Sequence, residues 1–563
     1  MLREAEFESV KTLWSSSNYV FLGQMCGGDG AGFSAIYKPH KGESPLWDFP
    51  DGLYQREVAA YELARLFEWP FVPPTIVRDG PHGIGSVQVF IPHDQRSSFF
   101  EQREDTRLVP QLKRMAVFDY VANNADRKGG HCLLDESGRI WGIDHGLCFH
   151  HQYKMRTVIW DWADTTIKKS WLDDVERVGL AVAERDPSAA RLLALISDDE
   201  ADALVGRLRA LVKEQGLWAP HLPPEAGGSN GSFLVYAHLN EEIGRSVWAQ
   251  LIFGCQAPDA GNGEILWHFG TDEQKARWLK PLVAGEVRSF FSMTEPEAPG
   301  SDPTTLRTRA VRDGDEWVID GHKWFSSGAE GAAFGIVMAV TDPDADPHRR
   351  ATQIIVPADT PGVEIVRPVP TMGHRGRGWT THCEVRYTGV RVPVENTLGK
   401  VGEGFRIAQK RLGPGRIHHV MRWLGQMQRA FELMCTYALE REAFGGPLAE
   451  KQTVQNWIAD SAAEIQACRL MTLDAAHKID QGDEARVEVS VIKFYAAGVL
   501  HDVIDRAVQV HGARGLTDET PLAAMLAMAR GARIYDGPDE VHRMVVARRI
   551  LKSFASGDGW RFE

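Results

Sequence analysis

The sequence predicts a multidomain chain in four parts, ordered α+β, helical, β and helical, and three observations predict it. At 563 residues the chain is too long for one hydrophobic core. Its front part mixes short β-like runs with helical ones, whereas from about residue 400 apolar stripes at three-and-four spacing persist over several turns. Between them, residues 290 to 398 alternate apolar and polar side chains in the manner of strands.

Taken in order, "YVFLGQM", "FSAIYKP" and "SVQVFI" read as front strands and "QREVAAYELARLF" as a helix. The charged run "DPSAARLLALISDDEADALVGRLRALVKEQG" reads as helical and lacks a clear linker, so the first boundary is placed near residue 212. The expected domains are 1–212, 213–289, 290–398 and 399–555. "EWVIDGHKWF" and "ATQIIVPA" are strands of the third, and "FELMCTYALEREAF", "NWIADSAAEIQACRLMTLDAAHKI" and "VEVSVIKFYAAGVLHDVIDRAVQV" are helices of the fourth. A further helix, "PLAAMLAMARGARIY", stops at Gly537 and Pro538, and Asp536 stands at that corner. A short acid there is either a cap or turn former or a chemical group.

Composition narrows the function. The formal net charge of −13 argues against wholesale binding of nucleic acid while leaving room for a local basic pocket. No stretch of eighteen apolar residues occurs, and "MLREAEFESVKTLW" carries acids where a targeting peptide is apolar or basic. The expectation is a cytoplasmic protein with no membrane span. Seven cysteines without a C-x-x-C pair support neither a disulfide framework nor a thiolate zinc site. The pairs His150–His151 and His418–His419 lack the i, i+4 spacing of a helical metal pair and are read as ordinary residues.

From "GLWAPHLPPEAGG" onward the chain resembles the acyl-CoA dehydrogenases, through "LNEEIGRS", "GTDEQKARWLKPLVAGE", "MTEPEAPGSD", "WVIDGHKWFSSG", "REAFGGPL", "QVHGARG" and "YDGPDEVHR". The resemblance implies a helical domain, a β domain and a C-terminal four-helix bundle. It also implies FAD, an acyl-CoA substrate, electron-transfer flavoprotein as electron acceptor and a homodimer or homotetramer. Carried over residue by residue, Thr294, Ser301 and Ser327 are flavin contacts and Phe325 lies against the isoalloxazine. Arg441 and Phe444 reach the FAD of a neighbouring subunit, Gln509 and Gly512 make its other dinucleotide contact, and Glu540 lies near the FAD. Asp536 stands where the family places a glutamate base, on a stem one carbon shorter, and Arg416 is a substrate-binding position. Gly415 offers no rival carboxylate at the alternative base position. "CQAPDAGN", "RLGPGRIHH" and "DGPDEVH" are similar to the subgroup that accompanies kinases in the breakdown of 4-hydroxy acids. The family's first helices are missing or replaced, and "EADALVGRLRALVKEQG" is the candidate substitute.

The front of the chain offers the parts of phosphoryl transfer in kinase order: Lys38 for the nucleotide phosphates, Glu57 to hold it, Asp126 at the attacking hydroxyl and Asp144 for a metal. The eighteen positions from Asp126 to Asp144 suit a catalytic loop, a hairpin and a metal-binding turn. Through "YKPHKGESPLWDFPDGLYQREVAAY" and "FDYVANNADRKGGHCL" this stretch resembles an uncharacterised kinase-like family related to the phosphatidylinositol kinases, which implies ATP and Mg. No G-x-G-x-x-G occurs; the phosphate loop falls on Ser15 to Asn18, and His131 stands where related kinases place a metal-binding Asn. Two functions follow. Either a kinase phosphorylates a hydroxyacyl-CoA for the dehydrogenase behind it, or an ordinary dehydrogenase carries a nucleotide-binding or regulatory module.

Overall fold

The computed structural model describes residues 2–13, 18–27, 32–163, 165, 167–183, 187–229, 231–246, 249–517 and 519–562. The chain divides into two compact units, Met1–Gln215 and Gly216–Glu563.

The first unit is built on an antiparallel five-stranded sheet, ordered in space Glu6–Leu13, Val20–Cys26, Gly32–Pro39, Gly83–Val89 and Thr75–Gly80. Ala35 and Tyr37 alternate into its buried face with Met25 and Val87, and the two-residue period therefore puts Lys38 on the other face. The strand Glu6–Leu13 escaped the sequence reading because its sequence, EFESVKTL, lacks a clean apolar alternation. Helix Leu53–Leu66 begins at Gly52, which has no side chain to cap it. The Glu43 carboxylate does so instead, accepting the N–H groups of Gly52, Leu53 and Tyr54 at 3.2, 3.0 and 2.6 Å. Between Asp126 and Asp144 runs a hairpin pairing Cys132–Leu134 with Ile140–Gly142.

Helix Asp198–Glu214 opens with a capping box between Ser197 and Glu200. Its Glu200 ion-pairs with buried Arg56 at 2.5 Å, and Arg207 donates to the Val121 carbonyl at 2.8 Å. These anchors lie within the first unit, so the helix read as a substitute wall for the flavin domain is tied into the kinase-like fold.

The second unit holds an eight-stranded sheet and a helical bundle. The sheet runs from Ser289–Ser292 to Thr397–Leu398, and its longest pair, Glu316–Ser327 with His382–Pro393, is antiparallel. The bundle consists of Gly404–Glu440, Gln452–Asp480, Arg486–His511 and Asp539–Ser556, with Leu522–Ala532 between the last two. Met421, Leu424 and Met427 meet Leu500, Ile504 and Ala507 in its core. "FELMCTYALEREAF" is not helical throughout. The helix stops at Glu440, and a tight hairpin follows, turning at Phe444 and Gly445 with φ of 50° and 81°.

Helix Phe233–Gly244 crosses the long helix Gly404–Glu440 with backbones in contact. A Cβ on Gly244 would lie 2.3 Å from the Arg422 Cα, and one on Gly425 would lie 2.1 Å from the Glu241 carbonyl oxygen. Only glycine permits that approach.

In the sheet, Lys323 is fully buried and donates to Glu295 and to the Met293 carbonyl, both at 2.9 Å. Glu295 in turn accepts the N–H groups of Arg307 and Thr308 at 2.7 and 2.9 Å. One buried ion pair thus shapes the loop that carries Thr294 and Ser301. Breaking such a pair by removing one partner costs about 3 to 5 kcal/mol. Lys323→Met is accordingly expected to lower unfolding free energy by about that amount in urea titrations; a change under about 1 kcal/mol would show that Glu295 is satisfied by the backbone alone.

Candidate functional site

In the second unit the chain leaves helix Leu522–Ala532 and turns at Asp536, whose φ is 55°, and Gly537, whose φ is 103°, before Pro538 leads into Asp539–Ser556. The left-handed conformation at Asp536 suits Asp or Asn better than most residues with a side chain. The side chain of Asp536 caps no helix. Its Oδ2 lies 3.0 Å from His419 Nε2, while its carbonyl oxygen accepts from Arg416 Nε at 2.9 Å and His542 Nε2 at 3.2 Å. Arg422 Nη2 lies 3.2 Å from His419 Nδ1. A guanidinium can only donate, so Nδ1 is the acceptor and Nε2–H donates to Asp536. Arg416, His419 and Arg422 recur at three-residue spacing on one face of the long helix. Two residues before Arg416, Pro414 removes the helical hydrogen bond to the Lys410 carbonyl.

Burial acts to raise the Asp536 carboxyl, but the His419 hydrogen bond and the nearby Arg411 and Arg416 outweigh it and hold it well below the usual carboxylate range. Burial pushes the His419 imidazole down despite its acidic partner, which keeps it neutral. Asp536, with its side chain 23% exposed, is an ionised, oriented proton acceptor. A carboxylate so stabilised is a weak base, and a carbon acid offered to it must be acidified by donors at its own carbonyl oxygen. The backbone N–H of Asp536 makes no hydrogen bond among the described residues and can serve as one.

At the flavin positions, the Thr294 carbonyl accepts from the Trp324 N–H at 3.0 Å, and the Ser327 hydroxyl lies 2.7 Å from His382 Nδ1. Phe325, 40% exposed and with φ of 49°, presents its ring between them in sequence. Ser301 is exposed on the following turn. Uncharged hydroxyls beside an exposed aromatic face fit a flavin, which needs donors without bulky charge. Arg441 lines a cleft of about 660 Å³ together with Tyr437, Glu440, His511 and Arg514. Gly512 ends helix Arg486–His511 with φ 59° and ψ −136°, a conformation essentially restricted to glycine, and Gln509 is exposed on the last turn. Phe444 is 99% exposed on its hairpin, and Glu540 is exposed in the first turn of Asp539–Ser556.

Sequence reasoning missed His419, Arg422 and His542. Adjacency of His418 and His419 was the wrong test; the i, i+3 step from Arg416 to His419 was the available signal.

In the first unit Lys38 donates to Glu57 and, at 2.8 Å, to Asp144 Oδ1. Glu57 also accepts the His145 N–H at 3.0 Å. Asp144 has φ of 62° and a side chain 45% exposed, and its Oδ2 lies 3.3 Å from His131 Nε2. Asp126 accepts from Lys128 at 2.7 Å. Behind them, fully buried Arg127 binds Asp119 in a two-pronged pair at 2.7 and 2.9 Å, donates to the Ile143 carbonyl at 3.1 Å and meets His145 Nε2 at 2.8 Å. One guanidinium thus braces the segments bearing Asp126 and Asp144. A lysine held by two acids, one of them exposed, fits nucleotide phosphates and a cation. His131 offers nitrogen where Mg²⁺ favours oxygen, a poorer match. Ser15, Ser16 and Ser17 of the expected phosphate loop lie outside the described residues.

Comparison with known proteins identifies the parts of the chain. Residues 190–286, 290–390 and 402–551 match the N-terminal, middle and C-terminal domains of acyl-CoA dehydrogenase, and residues 75–161 match phosphatidylinositol 3- and 4-kinase. The first of these spans includes helix Asp198–Glu214, which compactness assigns to the first unit. The chain is 48% identical over 374 residues to "Probable acyl-CoA dehydrogenase FadE2" of Mycobacterium tuberculosis, covering 66% of this chain and 91% of that protein. It is 41% identical over 357 residues to human acyl-CoA dehydrogenase family member 11, covering 62% of this chain but 45% of that longer relative. The solved structure of butyryl-CoA dehydrogenase from Megasphaera elsdenii superposes with a TM-score of 0.56 at 28% identity, covering 69% of this chain and 100% of that one. The chain therefore belongs to the acyl-CoA dehydrogenase family, with a phosphatidylinositol-kinase-like segment ahead of its dehydrogenase domains.

Proposed function

We propose that the second unit is an FAD-dependent acyl-CoA dehydrogenase in which Asp536 removes the α-proton of the thioester. The hydrogen bond from His419 to Asp536, with Arg416 on the same residue's carbonyl, carries this reading. Thr294, Ser301, Phe325, Ser327, Gln509, Gly512 and Glu540 would hold FAD, with Arg441 and Phe444 reaching that of a neighbouring copy in a homodimer or homotetramer. Held there, FAD would supply the acceptor for the β-hydride. The chain's own part is to fix the thioester over Asp536, with the backbone N–H of that residue donating to the thioester oxygen. The α-proton passes to the carboxylate, and the neutral imidazole of His419 keeps that carboxylate aimed. Electron-transfer flavoprotein is the proposed acceptor and the cytoplasm the proposed compartment. No helix among the described residues is long and apolar enough to cross a membrane.

In the first unit Lys38 and Glu57 would hold ATP, with Asp126 at the acceptor hydroxyl and Asp144 and His131 at the metal. We propose that it phosphorylates a hydroxyacyl-CoA on which the dehydrogenase then acts. Arg411 and Arg416, both near Asp536, favour a substrate bearing an anionic group. The nitrogen ligand at His131 favours the second reading, a nucleotide-binding or regulatory module.

Three measurements test these roles. Asp536→Asn is expected to retain FAD by its visible spectrum and to slow acyl-CoA-dependent flavin bleaching about 10²- to 10⁴-fold; wild-type bleaching in the variant would return Asp536 to a turn former. His419→Phe removes a group that depresses the Asp536 carboxyl, so the acidic limb of the bleaching rate against pH should move to higher pH, and an unmoved limb would assign that depression to Arg411 and Arg416 alone. Asp126→Asn and Asp144→Asn should each abolish ATP-dependent labelling of a hydroxyacyl-CoA without altering the flavin spectrum. If wild type labels no 3-, 4- or 5-hydroxyacyl-CoA, the regulatory reading stands.

A further inference from the structure

A buried cation lies behind the Asp536 corner, and the mechanism above gives it no part. Two lysines are fully buried among the described residues, Lys323 and Lys493. Lys323 is paired with Glu295. Lys493, on helix Arg486–His511, instead donates to two backbone carbonyls, that of Ala532 at 2.6 Å and, more weakly, that of Gly537 at 3.4 Å. Its ammonium also lies 5.3 Å from the ring centre of Trp423 and 5.4 Å from that of Tyr535.

Ala532 ends helix Leu522–Ala532 and Gly537 directly follows Asp536, so one Nζ joins the two ends of the turn that carries the acid. Neither carbonyl accepts a backbone N–H among the described residues, and a cation suits the orphan carbonyl at a helix C-terminus. The middle of the turn is held by the same group of side chains. The Tyr535 hydroxyl accepts from Trp423 Nε1 at 3.1 Å, and the Tyr535 ring lies 4.8 Å from that of His419, the partner of Asp536. Trp423 stands one turn past His419 on the long helix, with the two rings 6.0 Å apart.

An ammonium buried among carbonyls and rings is costly, whereas the carbonyls of a helix end are ordinarily met by a glycine turn at no such cost. Burial lowers the Lys493 ammonium to about 8, with Asp536 and Asp539 acting to raise it and Arg416 to lower it. It is therefore mainly charged at neutral pH. A local rule broken in this way is expected where function, and not folding alone, sets the residue.

We propose that Lys493 is a positioning residue for the reaction: by joining the Ala532 and Gly537 carbonyls it fixes the turn between them, and with it the Asp536 carboxylate and the Asp536 N–H offered to the thioester oxygen. This rests on the reading of Asp536 as the base. Lys493 acts through the corner and not on the substrate.

The test compares variants of the holoenzyme by two measurements. One is the limiting rate of flavin bleaching by the straight-chain acyl-CoA that bleaches wild type fastest, and the other is binding of the matching analogue with sulfur at the β-position. Lys493→Met, of similar length and without a donor, should retain FAD and bind the analogue within about threefold of wild type, yet bleach about 10- to 10²-fold more slowly, as when a reacting group is misplaced by about 1 Å. Lys493→Gln, which still offers two N–H groups, should recover part of that loss. Because the effect runs through Asp536, adding Lys493→Met to Asp536→Asn should slow the residual bleaching by less than about twofold further, since groups that act as a unit are not additive.

Wild-type bleaching in Lys493→Met would overturn the proposal, and so would a loss of analogue affinity as large as the loss of rate. A full multiplicative loss in the double variant, or loss of FAD from both Lys493→Met and Lys493→Gln, would overturn it equally by making Lys493 a residue of the fold alone. Bleaching of Asp536→Asn at the wild-type rate would instead bring down the base itself, and this inference with it.

Discussion

The catalytic half depends on the latch at the Asp536 carbonyl. A left-handed residue with a side chain persists only where its surroundings hold it, and here Arg416 and His542 hold one oxygen at 2.9 and 3.2 Å. One oxygen of the carboxylate then meets His419 at 3.0 Å. Because Arg416, His419 and Arg422 share a helix face, the position of the acid is inherited from the position of that helix. The helix is in turn fixed by the glycine-lined crossing at Gly244 and Gly425, where neither chain can move closer or accept a side chain. A packing constraint some distance along the helix thus sets the geometry of the proposed proton acceptor.

The kinase-like unit is organised on the same logic with different parts. Its central pair, Arg127 with Asp119, is wholly buried and ties together the segments from which Asp126 and Asp144 project. Each unit thus puts a buried guanidinium, Arg127 or Arg422, behind the acids proposed for its chemistry. The chain as a whole carries a formal charge of −13, yet the corner at Asp536 gathers two guanidiniums, Arg411 and Arg416, around one acid. Local positive potential on an acidic protein draws anionic ligands to particular clefts while the rest of the surface repels them.

Much of this was legible in the sequence, because the features involved are local. The order of the four parts followed from periodicity, and the hairpin between Asp126 and Asp144 followed from spacing. Lys38, Glu57 and Asp144 could be singled out as a kinase-like set, and the structure brings them into hydrogen-bond contact. What stayed hidden depends on elements distant in sequence. His419 lies 117 residues from Asp536, and no pattern within either segment announces the other. The end of the helix at Glu440 was missed because "REAF" has helix-forming residues, and the tertiary hairpin overrides their propensity. The strand Glu6–Leu13 lies at a sheet edge with half its residues wet, so composition gave it no signature.

The left-handed backbone at Asp536 also separates what the corner looks like from what it does. Asn and Gly adopt that conformation as readily as Asp, so the corner can exchange its acid for an inert residue without strain. A relative that had lost the acid at this position would therefore keep the same turn and the same latch on the carbonyl, and forgo only the hydrogen bond from His419. The shape of the corner therefore does not report its chemistry, which rests on the identity of a single side chain.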